Sequence, residues 1–138
     1  MPATTYAGNA ILNLFLRGVA LAPPTRVYVS LHTGDPGLTG ASEVTTAEWP
    51  SYARQDAAQG GAVGTGFHAS ASKASENALL MSFGDNNGAV PVIVTHFGIW
   101  DAPTAGNCIF VGELDDPKTY LPSDEAVVRQ NAITITVE

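Results

Sequence analysis

Charge is what this 138-residue chain has least of: Asp, Glu, Lys and Arg together make up 14%, against 45% hydrophobic residues. A typical soluble chain carries about 25% charged residues, and a free monomer normally needs charge to keep its surface soluble and free of patches. The deficit suggests that part of the surface is covered by further copies or by a larger assembly. Cysteine is almost absent. Cys108 stands alone, which excludes an intrachain disulfide, and its neighbours Ile109, Phe110 and Val111 point to a buried, inert thiol. Basic residues are few and scattered, at Arg17, Arg26, Arg54, Lys73, Lys118 and Arg129. With a net charge of −7 and a pI near 4.7, phosphate-driven binding of nucleic acid has no footing. Long hydrophobic runs are missing too, since none approaches the roughly 20 residues that span a bilayer. The segment before the apolar stretch Ile11–Leu16 carries no basic residue, so a secretory signal is not expected and the chain reads as made and folded in the cytoplasm.

What is present reads as strands and turns. Thr4 or Thr5 is a fair N-cap, and Ala7, Ala10, Ile11, Leu14 and Phe15 follow at helical spacing until Arg17 and Gly18 supply a stop. This gives one amphipathic helix of about three turns. Pro23 and Pro24 then hand the chain to a first strand, where Val27, Val29 and Leu31 alternate with Tyr28 and Ser30. A long Gly/Thr/Pro-rich connection runs from Thr33 to Pro50. Strands are expected over Tyr52–Ala58, Asn77–Phe83, Pro91–Trp100, Asn107–Leu114 and Ala132–Val137, with short pairing at Lys118–Leu121 and Val127–Val128. Simple alternation along Pro91–Trp100 puts Val92, Val94 and His96 on one face and Ile93, Thr95, Phe97 and Ile99 on the other. Both faces are apolar, which marks a central strand. Turns are expected at Gly84–Gly88, Asp101–Gly106, Asp115–Pro117 and Pro122–Asp124, and Gly60–Gly66 reads as a flexible loop. With no βαβ rhythm, the fold class is mainly β: an antiparallel sandwich, jelly-roll-like or a small barrel, with one N-terminal helix. One domain is expected, with residues 1–24 as a helical segment and 25–138 as the sandwich.

Chemistry is harder to find. His32 has Asp35 three residues on but no companion at ligand spacing, so a His bonded to turn backbone is the better reading. His96 reads as packed within its strand, and His68 as exposed. Gly60–Gly66 lacks the Lys-Ser/Thr of a phosphate loop, and Asp85–Gly88 lacks the closing Glu of a calcium loop. The pairs Asp115/Asp116 and Asp124/Glu125 sit beside prolines in turns, where carboxylates are solvated rather than tuned for acid–base work. No nucleophile has a base beside it. No enzyme, cofactor or metal is expected. Aromatic and apolar residues are the candidates for contact: Ile11, Phe15, Trp49, Tyr52 and Trp100 form the candidate interface, with core or clamp the more ordinary role for Trp49, Tyr52 and Trp100.

Four segments carry a resemblance. Arg26-Val-Tyr-Val-Ser-Leu-His-Thr-Gly-Asp-Pro-Gly-Leu-Thr-Gly40, Ser51-Tyr-Ala-Arg-Gln55, Thr95-His-Phe-Gly-Ile-Trp-Asp-Ala-Pro-Thr-Ala-Gly106 and Ala132-Ile-Thr-Ile-Thr-Val137 occur in this order. The chain resembles a family of small virion proteins of tailed bacteriophages, usually described as tail-fibre-like or minor tail proteins. The resemblance implies a non-enzymatic, tail-associated structural protein of the virion; the low charge and long loops suggest that it docks on a multi-copy scaffold of other virion proteins and forms a homo-oligomer. The contact elements expected are the helix and the loops Thr33–Pro50 and Gly60–Gly66. Two alternatives stay open at this point: a capsid decoration protein, which the lack of shaft repeats suits equally well, and a module binding a host-surface glycan. Neither nucleic acid nor membrane insertion is expected.

Overall fold

The computed structural model describes residues 3–137. Helix α1 spans Thr5–Arg17. Thr4 is its N-cap, extended at ψ 168°, and its hydroxyl accepts from the Ala7 N–H at 3.3 Å. Gly18 closes the helix in the left-handed region at φ 65°, a conformation that costs glycine little. The same Thr4 hydroxyl donates to the Cys108 carbonyl, and Ala3 bridges Phe110. One residue therefore starts the helix and moors it.

The strands follow as β1 (Tyr28–His32), β2 (Gln55–Asp56), β3 (Ala74–Glu76), β4 (Met81–Asp85), β5 (Val92–Trp100), β6 (Cys108–Tyr120), β7 (Glu125–Val128) and β8 (Thr134–Thr136). The main sheet has the order β2-β1-β5-β6, and the pairs β3-β8 and β4-β7 face it. Every pairing is antiparallel. This is a β-sandwich with one helix, as the strand spacing predicts. Its core joins Val29, Leu31, Val92, Val94, Phe97 and Ile99 of the main sheet to Met81, Phe83, Ala126, Ile133 and Ile135 of the facing pairs. Val137, expected on the same face as the two isoleucines, is exposed instead.

β5 departs from simple alternation for a clear reason. The ladder runs from Val94 opposite Lys118 directly to His96 opposite Glu113, so Leu114–Pro117 loop out against the single residue Thr95. The expected Asp115–Pro117 turn is thus a wide bulge within one strand, where a proline is tolerated. The bulge shifts the parity of β5 by one. Val92, Val94, Phe97 and Ile99 all enter the core, while Gly98 and Trp100 face the other side.

Two other expected strands are shorter than their composition suggests. Tyr52–Ala58 pairs only at Gln55–Asp56, because the Asp56 carboxylate accepts from the N–H groups of Ala58 and Gly60, both at 2.9 Å, and turns the chain. Of Asn77–Phe83 only Met81–Phe83 is strand, in β4, because the fully buried Asn77 ends the pairing of the preceding β3 and turns the chain away. Its side chain donates to the carbonyls of Leu79 and Arg129 and accepts from Ile133 N–H at 2.8 Å. The Gly84–Gly88 turn connects strands of different layers, and buried Asn86 ties it to Val90 and Tyr120. Gly60–Gly66 contains a 3-10 turn at Val63–Thr65 rather than an irregular loop. The Arg26 guanidinium donates to the carbonyls of Gly60 and Gly61.

Candidate functional site

The second face of the main sheet carries Tyr28, Ser30 and His32 from β1 and Gly98 and Trp100 from β5. The connection Thr33–Pro50 folds back over it. His32 is fully buried, with Nδ1 2.7 Å from the Ala41 carbonyl and Nε2 2.6 Å from the Ser30 hydroxyl. A carbonyl can only accept, so Nδ1 carries the hydrogen and Nε2 of the neutral ring accepts from Ser30. Ser30 in turn accepts from the Trp100 indole N–H at 2.8 Å. The chain Trp100 → Ser30 → His32 → Ala41 satisfies every member in one direction. Burial pushes the His32 pKa below its ordinary value, outweighing the raising effect of the Ala41 bond. Gly98 makes room: a Cβ there would sit 2.7 Å from Ser30 Oγ and 2.9 Å from His32 Nε2.

A second network lies beside it. Arg54 meets Glu43 through Nε and Nη2, at 3.0 and 2.9 Å, and donates from Nη1 to the carbonyls of Ala102 and Ala105. Its guanidinium rests 3.6 Å above the Trp100 ring, adding a cation–π contact to the ion pair. Tyr52 donates to Glu43 Oε2 at 2.8 Å and accepts from Leu31 N–H at 3.0 Å. Burial, helped by the Glu43 charge, pushes the Tyr52 phenol well above its ordinary range. Gly40, at φ 82°, lies against Trp100, where a Cβ would come within 2.6 Å of the ring. Cys108 is buried beneath the same loop, its thiol pushed up to about 11 by burial.

Ser30 and His32 stand close enough to pass a proton, yet both are 0% exposed and a substrate has no approach to either. His32 orients on a backbone carbonyl rather than a carboxylate, and its job is to hold the long connection down. His96 bonds the Thr95 hydroxyl at 2.8 Å, and exposed His68 bonds Asn131 at 3.0 Å. Among the described residues, no group of three His, Cys, Asp or Glu side chains converges as metal ligands would. No helix there is long and apolar enough to cross a membrane.

The five interface candidates divide sharply. Trp49 is completely buried and donates to the Asp85 carbonyl at 2.9 Å; Tyr52 and Trp100 are buried as well. These three aromatics hold the sandwich and its long connection together. Ile11 is half-buried on the inner side of α1 with Leu14, whereas Phe15 is 79% exposed. Beside it stand Leu12, Leu16 and Val19, all exposed. Within the helix this outer stripe is written in the i, i+3, i+4 spacing of Leu12, Phe15 and Leu16, but the spacing of Ala7, Ile11 and Leu14 defines the inner face more strongly.

The buried polar groups are given over to cohesion, and an apolar helix face is turned outward. The chain matches the family model of podophage GP4 fiber I protein gp80 over residues 2–136, and it belongs to that family of phage fibre proteins. No curated protein matches it. Family membership supports a tail-associated structural role in the virion, in association with other virion proteins.

Proposed function

We propose that the protein is a tail-associated module, at the fibre or tail tip, that docks on a multi-copy assembly through the outer stripe of α1. One observation carries this reading: Leu12, Phe15 and Leu16 are 56, 79 and 76% exposed on a helix whose only charged residue is Arg17. Burying each such side chain contributes about 1.5–3 kcal/mol before the cost of immobilisation, and no charge has to be stripped of water along the stripe. The Thr5 N–H donates to the Leu38 carbonyl at 3.1 Å, which sets exposed Leu38 beside the start of the helix and brings the Thr33–Pro50 connection to the same surface. A glycan platform on Trp49 or Trp100 is disfavoured, since both rings are buried.

Cosedimentation of the full chain with separated phage tails and heads tests this function. Binding to tails, lost in a Phe15→Asp/Leu16→Asp variant that keeps its fold, is the expected result. Stoichiometric binding to heads, at hundreds of copies per particle, would replace the tail reading with capsid decoration.

A further inference from the structure

The sandwich carries an open apolar cleft of about 510 Å³ between the bulged end of β6 and the β7–β8 segment. Its apolar lining is half-buried Leu114, Tyr120, Val127 and Val128 over the core residues Val94, Phe97 and Ile133, and around it stand Asp115, Asp116 and Glu125 with Lys118 and Arg129. The looped-out Leu114–Pro117 segment places the two aspartates there. The chain's own helix is moored to the Cys108–Phe110 end of β6, several residues back along that strand, and does not line the cleft. One molecule therefore presents an unpartnered apolar knob at one place and an unfilled apolar socket at another.

Their charges also match. Arg17 directly follows Phe15 and Leu16, and α1 has no acidic residue. The ion pairs among the described residues are Arg26–Asp56 and Arg54–Glu43, so Arg17, Asp115 and Asp116 are all left without one. We propose that the cleft receives the Phe15–Leu16 end of α1 from a second copy of this chain, with Arg17 set against Asp115 and Asp116. The inference rests on the helix-docking reading above and names its partner. Knob and socket are different surfaces, so the contact is head-to-tail and each copy keeps one of each free for the next. Such a contact builds a ring or a row of copies.

Sedimentation velocity of the full chain tests it. Self-association is expected, weakened about 10- to 100-fold by Phe15→Asp and blocked by Ala132→Trp, which fills the socket from its exposed edge. Mixing these two variants should restore a single heterodimer that grows no further, because one retains a knob and the other a socket. Should Ala132→Trp fail to fold, the exposed-rim variant Asp115→Lys/Asp116→Lys replaces it: self-association falls by about fivefold at most and recovers when Arg17→Glu is added. A monomeric full chain whose tail binding is lost in Phe15→Asp but kept in Ala132→Trp would overturn this inference and leave the docking function standing. Tail binding and self-association both untouched by Phe15→Asp would end both.

Discussion

The covered face of the main sheet and the outer stripe of α1 hold comparable side chains in opposite circumstances. Under the Thr33–Pro50 connection, Trp100, Tyr52, Arg54, Glu43, Ser30 and His32 each have a hydrogen-bond or stacking partner, and no buried side-chain polar atom among the described residues lacks one. On the helix, Leu12, Phe15 and Leu16 are exposed with nothing against them. Three of the large aromatics, Trp49, Tyr52 and Trp100, are therefore spent on the protein's own cohesion. The tryptophans fasten a long connection to a sheet, and the docking surface proposed above consists of a phenylalanine and two leucines in a nearly charge-free helix. Changes under the connection should therefore cost stability, and changes on the stripe should cost association alone.

The largest expected effect is at Arg54. Arg54→Met keeps the bulk of the side chain but strips Glu43 of its bidentate partner, frees the Ala102 and Ala105 carbonyls and removes the cation over Trp100. Breaking a largely buried pair from one side costs about 3 kcal/mol, a large share of the 5–15 kcal/mol typical of a domain. Urea unfolding should show the midpoint falling at unchanged m. A shift below about 0.5 kcal/mol, the size usual for a surface substitution, would mean that the network contributes no cohesion.

A smaller effect is expected from acid. Burial holds the His32 pKa below its unfolded value of about 6.5, so the unfolded chain binds the proton first. The stability contributed by neutral His32 is complete above that value and is lost as pH falls from it toward the lowered folded pKa. The slope is at most about 1.4 kcal/mol per pH unit for one proton. Unfolding free energies measured between pH 7 and 5 cover this window, and comparison with a His32 variant isolates its share. The slope should flatten in His32→Gln, and an equal slope in both proteins would place the sensitivity elsewhere.

The sandwich was largely legible because alternation is local: Val29 and Leu31 face the core as β1 predicts, and Thr4 and Gly18 end the helix where their chemistry says they should. His32 was legible as a residue bonded to turn backbone, since Gly and Pro beyond Leu31 require a loop for its ring to hold. What local pattern could not supply was pairing. The parity change in β5 is imposed by four residues of β6, and nothing within Pro91–Trp100 announces it. Asn77 reads as the start of a strand and Asn86 as an ordinary turn residue until the partners that bury them are in place. Trp49, Tyr52 and Trp100 were ambiguous for the same reason, because only the folded connection determines which surface covers them.

The smallest effect on stability, and the sharpest use of the comparison, is expected on the stripe. In Phe15→Ser the exposed ring takes almost no buried area with it. Serine's lower helix propensity near the last turn costs only a few tenths of a kcal/mol, so unfolding free energy should stay within about 0.5 kcal/mol of the parent. Tail binding should nevertheless be lost. Ile11→Ser, one turn earlier but on the half-buried inner side, should reverse the balance: it removes packing against the sandwich and lowers stability by more than Phe15→Ser does. The pair thus separates the two faces of one helix. Equal destabilisation by both would mean that the stripe packs on its own chain, and the contrast with the covered sheet face would disappear.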